Sequence, residues 1–237
     1  MKPNRNRAIR VLVIAICMAP VYAQERSYKS VGGLDVAIDT LGEIVFRWHG
    51  SEYEISLASL PIPKSIPADT RESYRFTMGG VLGIYEPTET VYLLAAGDDG
   101  WQMRPWTVFA YNLKSEHITD IAKTSEVSRL GSSAISPSGR YVALSLGIRA
   151  GFMGSCSYEY IAVIDVAQQR HVELREWRSG EPPDGDGLGQ IKRIRWIDPT
   201  HFEVQADVVH PSQCYQGTPA RDHSSIDVID AAKLAFQ

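Results

Sequence analysis

The chain has 237 residues, 44% of them hydrophobic and 22% charged, with 28 acidic against 24 basic side chains and a formal net charge of −4. This composition is that of a globular protein with a buried core, and it excludes a disordered or fibrous chain. The acidic balance argues against nucleic acid or an anionic membrane as a partner.

The first 23 residues have the parts of a secretory signal peptide. An uncharged, mostly apolar run from Val11 to Val21 leads into the small-residue site that ends at Ala23, so we expect cleavage before Gln24. The run is shorter than the roughly 20 residues that span a bilayer, which predicts no stable membrane insertion and leaves a retained anchor as the alternative. The basic residues that precede it are Lys2, Arg5, Arg7 and Arg10.

After export and cleavage, residues 24–237 are predicted to form a single domain, located in the periplasm or outside the cell. Removing four basic residues from 24 leaves 20 against 28 acidic ones, so the net charge of the exported chain is −8. A surface with that charge favours a basic partner.

Strand-like segments dominate the exported chain, and they predict an all-β fold. Gly, Pro, Asp and Ser separate them. The ten segments are Leu34 to Ile38, Ile44 to Trp48, Tyr53 to Leu57, Val91 to Ala95, Thr107 to Leu113, Tyr141 to Leu146, Tyr160 to Val166, Ile191 to Ile197, Phe202 to Val209 and Ser225 to Ile229. Ile118 to Ser128 and Asp230 to Gln237 are the best helix candidates, although neither has a sustained apolar stripe.

A strand-turn-strand unit recurs along the chain. Its clearest copy contains Ser136-Pro137-Ser138-Gly139, which fits a type I turn with Pro second and Gly fourth. The weaker copies contain Glu86-Pro87-Thr88-Glu89, Ile197-Asp198-Pro199-Thr200, and the segment Ile38 to Val45, which aligns with Ile135 to Val142. The spacing of about 50 to 65 residues predicts about four units of a β-propeller-like fold with long loops.

The third strand of each unit has its own signature. Tyr160 to Ile164 is apolar without alternation, which is typical of a strand covered on both faces, as in stacked propeller blades. The acidic or amide residue that follows in each unit should start the turn to an outer strand. These residues are Asn112, Asp165 and Asp230.

The unit resembles the repeat of Tol-system periplasmic propellers and WD-type propellers. The likeness rests on Ser136-Pro137-Ser138-Gly139-Arg140-Tyr141-Val142-Ala143 followed by an apolar strand that ends in Asp, and it covers residues 133–177 well. It implies a propeller fold and nothing about function. The Gly-His and Trp-Asp dipeptides of WD repeats are absent from the sequence, so an incomplete or distorted propeller and a propeller-like sandwich stay open.

Two cysteines remain after export, Cys156 and Cys214. An even count in an exported chain predicts one disulfide. The two residues fall in equivalent loops of consecutive units, which adjacent blades would bring side by side. Two separate buried thiols are the alternative.

Signals for catalysis, metals and cofactors are weak. The sequence has no Gly-x-Ser-x-Gly elbow and no paired-histidine zinc motif, so we predict no catalytic residue, no metal and no cofactor. His210, Cys214 and His223 could hold a metal together, but Cys214 is better explained by the disulfide. The acidic glycine loops around Asp98-Asp99 and Asp184-Gly185-Asp186 lack the closing Glu of a calcium loop.

Aromatic residues on long loops are the best binding candidates, because such side chains commonly anchor partners. Burial in the core is the alternative for them. The predicted binding residues are Trp101, Met103, Trp106, Phe152, Tyr158 and Tyr215.

These observations predict an exported, soluble, non-enzymatic protein that binds another protein through long loops. An inhibitor or immunity protein that neutralises a periplasmic toxin or hydrolase is one concrete form. The alternative is a cell-envelope carbohydrate binder or hydrolase with Trp101 as a sugar platform. Its carboxylates would be Asp98, Asp99, Asp184 and Asp186.

Overall fold

The computed structural model describes residues 28–38, 43–64, 66, 68–98, 104–127, 129–150, 156–174, 188–209 and 221–236. The predicted signal peptide, residues 1–23, lies outside these ranges. No helix within them is both long and apolar enough to cross a membrane.

Antiparallel strands form four sheets, which confirms the all-β prediction. Sheet 1 contains β1 (Lys29–Val31), β2 (Leu34–Ile38), β3 (Ile44–Trp48) and β4 (Ser51–Ile55). Sheet 2 contains β5 (Arg75–Tyr85), β6 (Thr90–Asp98), β7 (Arg104–Asn112) and β8 (His117–Val127). Sheet 3 contains β9 (Arg129–Ile135), β10 (Tyr141–Ala150), β11 (Cys156–Asp165) and β12 (Arg170–Leu174). Sheet 4 contains β13 (Leu188–Trp196), β14 (His201–Val209) and β15 (Arg221–Asp230).

Helical structure in the described residues is minor. A single-turn helix α1 covers Ala68–Arg71, and the 3₁₀ turns are Leu57–Ser59, Glu86–Thr88 and Ala231–Lys233. The helix predicted over Ile118 to Ser128 is wrong, because this segment is strand β8. A register shift opposite Val108 and Phe109 leaves Ile121 as an extra residue in the strand. This bulge breaks the alternation of the apolar residues and imitates a helical spacing.

Apolar side chains fill the spaces between consecutive sheets in three separate interfaces. The first interface joins sheets 1 and 2, and its members include Leu34, Ile44, Phe46, Leu93 and Phe109. The second joins sheets 2 and 3, with Tyr92, Leu94, Trp106, Leu144 and Tyr160. The third joins sheets 3 and 4, with Tyr141, Ile161, Val163, Phe202 and Val204.

The middle sheets are therefore buried on both faces. Along β6, Leu93 faces the first interface while Leu94 faces the second. Along β11, Tyr160 faces the second interface and Ile161 the third. Because their side chains alternate between two apolar interfaces, these strands are apolar at every position. The apolar run Tyr160 to Ile164 predicts burial on both faces, and the structure confirms it.

The turns confirm that the units are structural repeats. Gly139 N donates to Ser136 O at 2.8 Å, so the predicted β-turn is present. In sheets 2, 3 and 4, the residue after the third strand donates its N–H to the carbonyl of the residue that precedes the second strand. These bonds are Leu113 N to Glu89 O (2.9 Å), Val166 N to Arg140 O (2.8 Å) and Ala231 N to Thr200 O (2.8 Å).

In sheets 2, 3 and 4, the polar residue that ends the third strand starts the next turn, as expected. The side-chain oxygens accept from Ser115 N at Asn112, from Gln168 N at Asp165 and from Ala232 N at Asp230. The predicted alignment of Ile38 to Val45 is wrong, because Ile38 ends the second strand of sheet 1 and Ile44 begins the third. The equivalent turn of sheet 1 lies at Gly32–Gly33, between β1 and β2.

Two finer predictions lie beyond the described residues. Cys156 begins β11, but Cys214 lies outside the described ranges, and these ranges contain no disulfide, so the pairing stays a prediction. The described strands form a succession of four sheets, and closure into a propeller ring stays a prediction.

Replacing Gly139 with Ala should destabilise the fold by about 2 kcal/mol or more, because two effects add. Its φ of +70° disfavours a side chain, and a Cβ would lie 2.4 Å from the Tyr85 ring. Gly50→Ala is the control, since Gly50 has a φ of +82° with nothing within 4 Å of the added carbon. Urea unfolding should give a loss of about 1 kcal/mol for the control. Equal losses for the two variants would contradict the packing of Tyr85 on this turn.

Candidate functional site

The first strands of sheets 2, 3 and 4 run side by side in the same direction. Ser133 Oγ donates to Leu82 O at 3.1 Å, which connects β9 to β5. Ile194 N donates to Ser132 Oγ at 3.1 Å, and Trp196 Nε1 donates to Ala134 O at 3.0 Å, which connects β13 to β9 in parallel. Corresponding strand ends of the three sheets therefore lie at the same end of the assembly.

Two ends can be defined from these directions. The loop end is where β6, β10 and β14 finish, at Asp98, Ala150 and Val209, and where β7, β11 and β15 begin. The turn end is opposite and carries the tight turns such as Ser136–Gly139. The segments 99–103, 151–155 and 210–220 all connect strands at the loop end.

Most of the predicted binding residues belong to these connections. Trp101, Met103, Phe152 and Tyr215 lie outside the described residues. Tyr158 is in β11, paired through the backbone with Ile148 near the loop end, and its side chain is outside the description. The topology thus brings the strand ends that flank these residues to one end of the assembly.

The prediction that Trp106 is a binding residue is wrong. Its side chain is only 4% exposed and packs in the second interface, so it is a core residue and not a surface anchor. Trp106 O also accepts a hydrogen bond from Thr124 Oγ1 at 3.3 Å. Trp106 lies two residues inside β7, where an apolar side chain points between two sheets.

The carboxylates and metal candidates of the sequence lie mostly beyond the described ranges. Asp98 ends β6 at the loop end, and the side chains of Asp98 and His223 are outside the description. No group of three or more metal-binding side chains occurs among the described residues. The remaining candidates, all outside the described ranges, are Asp99, Asp184, Asp186, His210 and Cys214.

A buried polar layer below the loop end joins sheets 3 and 4, and the sequence analysis missed it. Glu159 is 7% exposed, and its Oε2 accepts from Ile191 N of β13 at 2.8 Å. Ser145, also buried, accepts from Ser132 N at 2.8 Å through its Oγ. These bonds fix the backbones next to segments 151–155 and 175–187. The available signal was a charged residue placed directly before the apolar run Tyr160 to Ile164, between two tyrosines.

A second part of the layer lies in sheet 4. Asp207 is buried, accepts from Ser224 Oγ at 2.7 Å and lies 3.3 Å from Lys192 Nζ. Buried carboxylates are stable only when they are paired or hydrogen-bonded, as here. The role of these bonds is therefore structural. They hold β13, β14 and β15 in register where segment 210–220 leaves sheet 4.

The turn end of sheet 4 contains a compact group of charges. Asp198 Oδ1 accepts from Thr200 N at 2.8 Å and from His201 N at 2.7 Å. His201 lies between two carboxylates, with Nδ1 2.9 Å from Asp198 Oδ2 and Nε2 3.6 Å from Asp230 Oδ2. The bonds from the Thr200 and His201 amides lower the pKa of Asp198 to about 2. The Thr200 hydroxyl also lies 3.2 Å from His201 Nδ1 and donates to Asp198 Oδ1 at 3.2 Å. These bonds hold the turn between β13 and β14 together.

A polar cleft of about 260 Å³ opens at the turn end between sheets 1 and 2. Trp48 and His49 stack there with ring centroids 4.0 Å apart. Arg47, beside them, is held by Glu52 at 2.8 Å. The cleft is lined by Gly33, Asp35, Arg47, Trp48, His49, Gly50 and Glu86. It is small and open to solvent.

Glu159→Ala should destabilise the protein by about 1 to 3 kcal/mol, because the buried N–H of Ile191 loses its acceptor. Glu159→Gln keeps an acceptor oxygen and should lose less. Glu203→Ala is the control, since it removes a partly exposed ion pair with Arg195 and should cost no more than about 1 kcal/mol. Urea unfolding measures all three variants. A loss for Glu159→Ala no greater than that of the control would contradict the structural role of the layer.

Asp198 should contribute to stability above its unfolded pKa of 3.8, and that contribution should disappear as the pH falls through about 2. The sign follows from a folded-state pKa that lies below the unfolded one. Urea midpoints of the wild type and Asp198→Asn, which keeps an acceptor but does not titrate, should therefore converge between these pH values. A constant difference over the whole range would contradict the hydrogen bonds assigned to this carboxylate.

Comparisons with known proteins leave the chain without an assigned family. No family model matches it. No curated protein matches it either. Among solved structures it is similar to an acylaminoacyl peptidase from Pyrococcus horikoshii, with 12% identity and a TM-score of 0.38 over 83% of this chain and 32% of that one. It is also similar to the tricorn protease, with 12% identity and a TM-score of 0.29 over 74% of this chain and 18% of that one. The chain thus spans about a third or less of either structure, and at these TM-scores the likeness bears on neither fold nor activity.

Proposed function

We propose that the chain is an exported, non-enzymatic protein that binds another protein through its loop end, on a propeller-like scaffold. The observation that carries the proposal is the common end at which segments 99–103, 151–155 and 210–220 leave their sheets. Three loops on one end of a rigid scaffold are a common way to build a binding surface. Trp101, Phe152 and Tyr215 would be its anchors.

Charge supports a protein partner with a basic surface. The exported chain has a net charge of −8, and such a field accelerates association with a positively charged partner. An inhibitor or immunity protein for a periplasmic toxin or hydrolase is the specific form that we propose, because such a protein needs binding surface and no catalytic machinery.

The test is capture of a partner by immobilised residues 24–237 from a periplasmic extract of the source organism, followed by a binding and inhibition assay with the captured protein. The triple variant Trp101→Ala, Phe152→Ala, Tyr215→Ala should weaken binding by at least about tenfold, since buried aromatic anchors dominate interfaces. The control is Lys114→Ala with Arg170→Ala, two exposed residues at the turn end.

Three results would contradict the proposal: no captured protein, capture that survives the triple variant unchanged, or loss of binding in the turn-end control. Sugar binding that disappears with Trp101→Ala while protein capture stays empty would favour a carbohydrate-binding function instead.

A further inference from the structure

Sheet 4 carries every large hydrophobic side chain that is exposed in the described part of the chain. Ile197 is 52% exposed, Ile226 63% and Val228 58%. Ile197 lies in the turn between β13 and β14, whereas Ile226 and Val228 lie two residues apart on β15 and face away from the third interface. Apolar residues placed together on a surface commonly mark a contact site.

Within the described residues, the outer edge of β15 has no paired strand. Sheets 1, 2 and 3 each have four described strands, but sheet 4 has three, in the order β13-β14-β15. After β15 the described chain turns inward instead of forming a fourth strand. Residues 231–233 form a 3₁₀ turn, and Phe236 stacks on Tyr141 with centroids 5.9 Å apart. The backbone edge of β15 is thus unpaired by any described strand.

An open edge of this length is a template for another strand. β15 has ten residues, and on its inner side it pairs with β14, with Gln205 opposite Ile226 and Glu203 opposite Val228. A strand added on the outer side would set its own side chains beside Ile226 and Val228 on the outward face. Cross-strand pairing at these positions favours β-branched residues.

Charge and position indicate which occupant fits. β15 contains three Asp and one Arg. Lys233 Nζ pairs with Asp230 Oδ2 at 3.0 Å, but an acidic excess remains along the strand and favours a segment with Lys or Arg. Antiparallel pairing of two copies centred on Ile226, the register that aligns the outward apolar residues, would set Asp222 opposite Asp230, which is unfavourable. Pairing centred on Ser224 would instead set Arg221 opposite Asp227, so the experiment must distinguish a second copy from a basic partner. β15 also begins at the loop end, directly after segment 210–220, so its edge is continuous with the surface proposed for partner binding.

We propose that the open edge of β15 binds an extended segment of a basic partner protein by strand addition, with β-branched residues beside Ile226 and Val228 and Lys or Arg between them. This inference rests on the proposed function and specifies the chemistry of the partner. Backbone hydrogen bonds would supply affinity, and the alternating side chains would supply selectivity.

The first test uses a synthetic peptide, acetyl-Thr-Val-Lys-Val-Lys-Val-Lys-Thr-amide, with the exported chain. The peptide should slow hydrogen exchange of β15 amides, and the same peptide with Glu in place of Lys should bind at least about tenfold more weakly. Val228→Lys should weaken peptide binding by about tenfold or more, since an edge lysine blocks strand addition. Ile197→Lys is the control, with the same change of charge at an exposed apolar residue off the edge, and should bind normally.

The outcomes separate this inference from the proposed function. Protection outside β15, equal binding of the two peptides, or equal effects of Val228→Lys and Ile197→Lys would overturn the inference. Concentration-dependent protection of β15 without peptide would overturn it in favour of a second copy of the chain. A captured partner that binds Val228→Lys normally would overturn the inference and leave the proposed function intact. Failure to capture any partner would count against the proposed function, while the peptide result would still decide whether the edge accepts a basic strand.

Discussion

Burial of both faces of the middle sheets is the constraint on which the rest of the structure depends. Strands β6, β10 and β11 alternate their apolar side chains between two interfaces, so sheets 2 and 3 can fold only with a neighbour on each side. A fully buried Leu or Phe contributes about 1.5 to 3 kcal/mol, more than the net value of about 1 kcal/mol for one backbone hydrogen bond. The apolar interfaces between sheets, more than the backbone hydrogen bonds within each sheet, therefore set the order and direction of the sheets.

The fixed direction gives the two ends different physical roles. At the turn end, short turns are tied back by repeated backbone hydrogen bonds and by side chains such as Asp165, whose Oδ2 accepts from Arg140 at 2.9 Å and 3.1 Å. At the loop end, the polar layer around Glu159 secures the strands from which longer connections leave. Sheet 4 departs from the pattern among the described residues, because it has three strands and one apolar interface, and β15 is its last strand.

The sequence predicts strands well where a short apolar segment is bounded by turn residues. Leu34 to Ile38 and Ile44 to Trp48 match strands β2 and β3 residue for residue. Strand β5 was missed because Gly79 and its glycine neighbours lower strand propensity. The structure requires a glycine there, since a Cβ on Gly79 would lie 2.7 Å from Ile44 Cδ1 of sheet 1. Burial of Trp106 was one of two alternatives that the sequence left open, and the partner of Glu159 could not be predicted, because both depend on contacts between distant segments.

Native-state hydrogen exchange, followed across increasing urea, tests the central claim that the sheets stabilise one another as a series. Amides of β6, β10 and β11 should exchange with one common free energy that equals the free energy of global unfolding, because opening either middle sheet exposes an interface of the other. Amides of β15 should exchange with a lower free energy, through local opening of sheet 4. If β6 exchanged with its own lower free energy while β10 and β11 stayed protected, sheets 2 and 3 would be independent units, and the account would be contradicted.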